Sequence, residues 1–377
     1  MPDSSYAHRK SVSGRPLAAV VMAAGEGSRM KSTRPKPIHR LCGRPMVLHV
    51  VDALDALHLE KAVVVVGHGA ERVSKALVEE APAGLSIEFV TQHVQRGTGD
   101  AVSVALTAFN DDELDDEADG DIIVMPGDQP LFRPETLAGL VHAHVSADAA
   151  ATVLTAVVED PTGLGRVVRG KGERVRRIVE HRDCDDEQLA ITEINTSVYV
   201  FKRSLLAPAL RRLSPENSQG EYYLTDVIEV LYDAGYNVIS HVVGDRSEAD
   251  GVNDRAQLAR AEAELRRRTN LRLMAAGVSM VDPERTYIDA SVQIGPDSTV
   301  YPGCVLQGNT VIGAGCEIGP DTRLVDCTVG EGSVVEFSVG RRSTVGANAV
   351  VGPFAALEPG SKVDDGQRTG AHAVVLG

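Results

Sequence analysis

Ile294 to Leu324 reads IGPDSTVYPGCVLQGNTVIGAGCEIGPDTRL, and its aliphatic residues Ile294, Val300, Leu306, Ile312, Ile318 and Leu324 fall six residues apart. Gly, Pro, Asp, Asn and Ser crowd the positions between them. A six-residue period matches neither a helix nor an ordinary hairpin strand. It fits a parallel β-helix, in which each short strand stacks its aliphatic residue on the turn below. After a slip in register around Val329 to Val335, a second run, Val339, Val345, Val351, Leu357 and Val363, keeps the same spacing. Eleven positions in two runs are too many for a surface loop with chance valines. Coils of this kind present flat outer faces, so an oligomer is expected.

Upstream, Asp254 to Ala276 is rich in helix formers, has no proline and is followed by Gly277, which predicts a connecting helix. From Leu17 to Val243, short apolar runs alternate with helix-like segments. LAAVVMAAG, KAVVVVG, SIEFVT, DIIVMPGD, ATVLTAVVE and NTSVYVF read as strands, several buried on both faces, as an α/β doubly wound sheet requires. The acidic stretch Asp111 to Asp121 reads as a solvated surface loop. The expected division is a polar tail over 1–16, an α/β domain over 17–253, a linker helix over 254–277 and a short β-helix over 278–377.

The chain has 377 residues, which favours two domains, and 43% hydrophobic content, which supports buried cores. A formal charge of −15 argues against a role on nucleic acid or on an anionic membrane. The polar start and the lack of a long apolar run predict a cytoplasmic protein with no membrane span. Five cysteines without a CxxC pair suit reduced, packed thiols better than disulfides or a zinc site.

Three segments carry chemistry. Ala23-Ala24-Gly25-Glu26-Gly27-Ser28-Arg29-Met30 follows a strand directly; its glycines let the backbone approach phosphate, and exposed N–H groups with Arg29 suit a triphosphate. Walker A spacing is absent and GxGxxG is incomplete. Lys36, between Pro35 and Pro37, is a cation on a restricted backbone, although a surface lysine in a rigid turn reads the same way. Gln92, followed by Gly97-Thr98-Gly99-Asp100, offers an amide to a pyrimidine edge; the plainer reading makes Thr98 the cap of a helix starting near Asp100. Asp128, in Pro126-Gly127-Asp128-Gln129-Pro130 at the end of a buried strand, lies where open α/β sheets bind ligands and can hold Mg²⁺ with substrate phosphates. Asn253 can add an oxygen ligand if the chain folds back.

With AAGEGSRM, RPKPIH, QHVQRGTGDA, GDQPL, DPTGLGRV, IVEHRD, EINTSVYVF, NSQGEYYLTD and GVNDR in this order, the chain resembles the bacterial bifunctional N-acetylglucosamine-1-phosphate uridylyltransferase/glucosamine-1-phosphate acetyltransferase family from about Ala18 to Val363. The resemblance implies a Rossmann-like nucleotidyltransferase domain followed by a left-handed parallel β-helix, assembled as a homotrimer. It implies Mg²⁺-dependent attack of a sugar 1-phosphate on the α-phosphorus of UTP. Ala23, Ala24, Gly25, Gln92, Gly97 and Thr98 would contact the nucleotide, and Arg29 and Lys36 would face the phosphates. Gly165, Glu180 and Asn195 would hold the sugar, and Asp128 with Asn253 the metal.

Departures from the family pattern shape the remaining expectations. Pro126 stands where the family has Tyr, and Glu26 where it often has Lys. Glu358 and Leu376 stand where the family has Arg and Lys, and the sequence stops at Gly377, so no acetyl transfer is expected. The alternatives are a related enzyme using another hexose 1-phosphate or TTP, and a catalytically silent β-helix assembly protein.

Overall fold

The computed structural model describes residues 11–12, 14–109 and 120–377. Most of the polar tail and of the acidic stretch lies outside them. The last residue of that stretch is a correction: Asp121 is fully buried rather than solvated, because it opens a central strand and its carboxylate bonds buried His144 at 3.2 Å. His144 in turn meets Thr152 at 2.9 Å.

The chain divides into two compact units, one holding the described residues through His39 with Pro45–Gln257, the other Arg40–Arg44 with Leu258–Gly377. Among the described residues, no helix is long and apolar enough to cross a membrane.

The first unit is a Rossmann-like α/β domain built on a mixed sheet. Its strands are β1 (Leu17–Ala23), β4 (Ala62–Val66), β5 (Ile87–Thr91), β6 (Asp121–Pro126), β7 (Ala151–Val157), β8 (Arg166–Arg169), β9 (Val175–Val179), β10 (Glu193–Lys202) and β11 (Val238–Val242). Between β1 and β4, a separate hairpin pairs β2 (Arg40–Leu41) with β3 (Arg44–Pro45), and its residues Arg40–Arg44 belong to the second unit. The order of the large sheet is β11-β7-β10-β6-β1-β4-β5, with β8 and β9 branching from β10. β1 runs parallel to both β4 and β6, whereas β10 is antiparallel to β6 and β7. The apolar runs are continuous because both faces are covered: Leu17, Ala19 and Val21 pack into one core and Ala18 and Val20 into the other. Chain order reverses at β1, which has β4 on one side and β6 on the other. That opens a crevice beyond the carboxyl ends of these strands.

The second unit is a left-handed parallel β-helix with three parallel sheets of two- and three-residue strands. Ile294, Val300, Leu306, Ile312, Ile318 and Leu324 all point into its core, and so do Val329 and Val335. One position of the second run is corrected. Val339 is 46% exposed, and Gly340 takes the inner place, in register with Leu324 and Leu357. The coil from Leu324 to Gly340 is shorter than the one from Leu306 to Leu324, so a strict six-residue count overruns the corner by one residue. Buried hydroxyls tie neighbouring coils: Ser298 Oγ donates to Gly313 O at 2.8 Å and accepts from Cys316 N at 3.1 Å. All five cysteines are unpaired, and burial pushes the Cys304 thiol up to about 11, as expected of packing thiols.

Leu324 fills space that Gly340 leaves open; a Cβ on Gly340 would stand 3.0 Å from its Cδ2. Leu324→Ala therefore empties two adjoining rungs, and we expect about 4 kcal/mol of lost β-helix stability, within the range for buried Leu→Ala changes. Hydrogen exchange of the β-helix amides checks this. Unaltered protection would show that the coil collapses onto the gap.

Candidate active site

The loop after β1 is shaped by close approaches. Gly27 has φ 64°, and a Cβ there would meet the Lys36 Cβ at 2.6 Å, so the position needs glycine twice over. Gly67, at the end of β4, would bring a Cβ within 2.6 Å of the Ala24 carbonyl. That carbonyl accepts an N–H from Gln95 Nε2 at 2.7 Å, and Arg255 Nε donates to Met30 O at 3.1 Å. Both ends of the loop are thus pinned. Glu26 is exposed.

Four of the sequence candidates meet. Lys36 is ion-paired with Asp128 Oδ2 and donates to Asn253 Oδ1 at 2.8 Å. Arg29 donates to the same oxygen at 2.9 Å. Pro35 and Pro37 bracket Lys36 in a short 3-10 turn, Lys36–Ile38, which aims its ammonium at the end of β6. Asn253 arrives by a backbone bond, Val252 N to Asp128 O at 2.9 Å. It is steadied by Gln257 Oε1, which accepts from Asn253 N at 2.6 Å, while Asp254 caps Gln257 N at 2.8 Å. Asp128 Oδ2 and Asn253 Oδ1 therefore converge on the Lys36 ammonium, with Arg29 bonded to the second of them.

Beyond β5, Gln92 is buried, and its Nε2 donates to Asp100 Oδ2 at 2.7 Å and Gly97 O at 3.2 Å. Both partners only accept, so the amide orientation is fixed and Oε1 is left as an acceptor. Thr98 is the first residue of a helix, Thr98–Ala105, rather than its cap. Its Oγ1 instead accepts from Leu224 N at 3.0 Å, and Gly99 N donates to Tyr222 O at 2.8 Å. Gly97, with φ 106°, has no room for a Cβ, which would lie 2.6 Å from Tyr222 O. The Glu221–Leu224 segment thus holds the Gly97–Gly99 backbone.

The three sugar candidates adjoin one another. A Cβ on Gly165 would stand 3.6 Å from both Asn195 Cβ and Glu180 Oε1, and Asn195 N donates to Gly165 O at 2.9 Å. Asn195 Nδ2 donates to Tyr199 OH at 2.7 Å. Burial, reinforced by Asp183 and Asp226, pushes the Glu180 carboxyl up. Burial likewise lifts Asp226 to about 6, with Glu229 and Asp183 adding to it. Pro126 lies at the end of β6 opposite Met22 and offers no N–H; the following residue, Gly127, donates its N–H to Met22 O at 2.9 Å.

Gln95, Gln129, Arg255 and Gln257 were not singled out from sequence. Only Gln257 had a readable signal, the Asp254-x-x-Gln257 spacing that opens a helix.

A glycine-containing loop, Arg29, Lys36, Asp128 and Asn253 at the strand ends of a doubly wound sheet, with a hexapeptide β-helix downstream, agree with the class that comparison with known families gives, a nucleotidyltransferase. A family model described as MobA-like NTP transferase domain matches residues 19–230, and one described as bacterial transferase hexapeptide (six repeats) matches 287–325. The bifunctional protein GlmU of Streptomyces avermitilis is 46% identical over 359 residues, covering 95% of this chain and 73% of the relative. Those of Geobacillus sp. and Shouchella clausii are each 44% identical over 352 residues, covering 93% of this chain and 74% and 75% of the relatives. The chain belongs to the GlmU family. It is a nucleotidyltransferase of the UDP-N-acetylglucosamine diphosphorylase type, using a nucleoside triphosphate and a sugar phosphate.

Proposed function

We propose that the chain joins UTP and N-acetylglucosamine 1-phosphate into UDP-N-acetylglucosamine and pyrophosphate with Mg²⁺, and that it carries out no acetyl transfer. The convergence of Arg29, Lys36, Asp128 and Asn253 carries this reading. A sugar-phosphate oxygen bonds the α-phosphorus as the bond from that phosphorus to the pyrophosphate oxygen breaks in line. Two anions must meet, so the protein's work is to position them and neutralise charge. Arg29 and Lys36 bind the triphosphate and meet the charge growing on pyrophosphate. Ala23, Ala24 and Gly25 bring backbone to the nucleotide, and Gly97 with Thr98 shapes the base pocket. Gln92 Oε1 accepts the N3–H of uracil; cytosine has an acceptor there, so CTP is disfavoured. Gly165, Glu180 and Asn195 hold the sugar.

The donor set fits Mg²⁺: Asp128 Oδ2 and Asn253 Oδ1 are hard oxygens whose shared point already attracts the Lys36 ammonium. Among the described residues no cluster of three or more His, Cys, Asp or Glu suits a metal, so substrate phosphates would complete the shell. Bound there, Mg²⁺ would offset phosphate charge. Pyrophosphate release measured over a panel of nucleoside triphosphates and sugar 1-phosphates tests the reading. UTP with N-acetylglucosamine 1-phosphate is expected to lead, and CTP to fall about 100-fold lower through the lost hydrogen bond. Equal use of CTP would remove Gln92 from base recognition.

For the β-helix we propose a homotrimer. Exposed Glu358, and Leu376 at 75% exposure, stand where the family has cations, which leaves an anionic sugar phosphate without attraction. Light scattering is expected to give three times the 40.0 kDa chain mass. Acetyl-coenzyme A with glucosamine 1-phosphate is expected to yield no product. Acetylation at a rate near that of nucleotidyl transfer would contradict the charge argument.

A further inference from the structure

β10 pairs regularly with β7 through Asn195, then slips before Tyr199. A bulge leaves backbone groups without ladder partners, and one of them is the Thr196 carbonyl. The neighbouring residue, Ser197, has φ 64°, a left-handed conformation that side chains other than glycine seldom adopt. Asn195 Oδ1 holds it there by accepting from Ser197 N at 3.0 Å. The Thr196 carbonyl is satisfied from the turn that follows β6: Gln129 Nε2 donates to it at 2.7 Å. Gln129 directly follows Asp128, and its side chain packs 3.6 Å from where a Cβ on Gly251 would lie, two residues before Asn253.

Gln129 is 9% exposed, and its Oε1 is buried with no partner among the described residues. The amide cannot turn round, because two acceptors would then face each other. The amide thus leaves its own Oε1 without a partner while its Nε2 satisfies the buried Thr196 carbonyl. What the amide does is link the residue after Asp128 to the residue after Asn195.

We propose that Gln129 is a positioning residue that sets the sugar-holding bulge of β10 against the phosphate groups at Asp128, an inference that rests on the site reading above. In-line transfer depends steeply on that separation. Gln129→Met keeps the volume and removes the donor; we expect the KM for the sugar 1-phosphate to rise about tenfold and kcat to fall about tenfold. The KM for UTP should hold, while the melting temperature should fall modestly because the Thr196 carbonyl loses its donor.

A Gln129→Met protein with wild-type kcat and both KM values unchanged would overturn the proposal. So would a lower melting temperature and a lowered kcat with both KM values unchanged, since that pattern marks support of the fold alone. Wild-type protein inactive with all the nucleotides and sugar phosphates would instead bring down the site reading and this inference with it.

Discussion

Asp128→Ala lowers kcat about 1,000-fold, roughly 4 kcal/mol in the transition state, while the fold survives. Asp128 follows the last strand residue, Pro126, by two positions, and its side chain faces the crevice, where Lys36 is its partner. Its removal deletes the sole carboxylate bonded to the Lys36–Asn253 pair among the described residues. The core loses nothing, because Ile122, Ile123, Val124 and Met125 of the same strand keep their packing. Raising Mg²⁺ should recover part of the loss if the carboxylate holds metal. Activity within threefold of wild type at limiting Mg²⁺ would exclude Asp128 from the site.

Lys36→Ala is expected to lower kcat about 300-fold by taking a cation from phosphates whose charge shifts as the bond breaks. Metal binding should move the other way. Lys36 shares Asp128 Oδ2 and Asn253 Oδ1 with the proposed metal position, so without nucleotide the variant should bind Mn²⁺ at least as tightly as wild type, read by electron paramagnetic resonance. Lys36→Arg should not restore the rate. Its planar fork does not replace a point charge in a turn bracketed by Pro35 and Pro37. Weaker Mn²⁺ binding in Lys36→Ala would mean that the ammonium supports the oxygens rather than standing in for a cation.

Local patterning made much of the fold legible. Strands β1, β4 and β6 were readable because burial on both faces requires unbroken apolar runs, and the β-helix because each coil repeats a short-range rule. Val339 shows where that rule fails: coil length is decided at corners, and Gly340 carries no side chain to betray its inner position. Asp121 shows a second limit. Its charge resembles that of the preceding acidic residues, and only the partner His144, 23 positions later, distinguishes it.

The sequence by itself determined the residue types that phosphate chemistry needs and their placement at strand ends, because glycine turns and strand boundaries are local properties. Tertiary structure alone decided their meeting. Arg29 and Asn253 lie 224 residues apart, and no spacing rule joins them. They touch because β6 sits beside β1 in the sheet and Val252 bonds back to Asp128. The same holds for Gln129 and Thr196, 67 residues apart, whose bond exists because the β10 bulge exposes one carbonyl to a neighbouring strand end. Hydrogen-bond satisfaction across strands is settled by sheet order, and sheet order is a property of the whole packed chain.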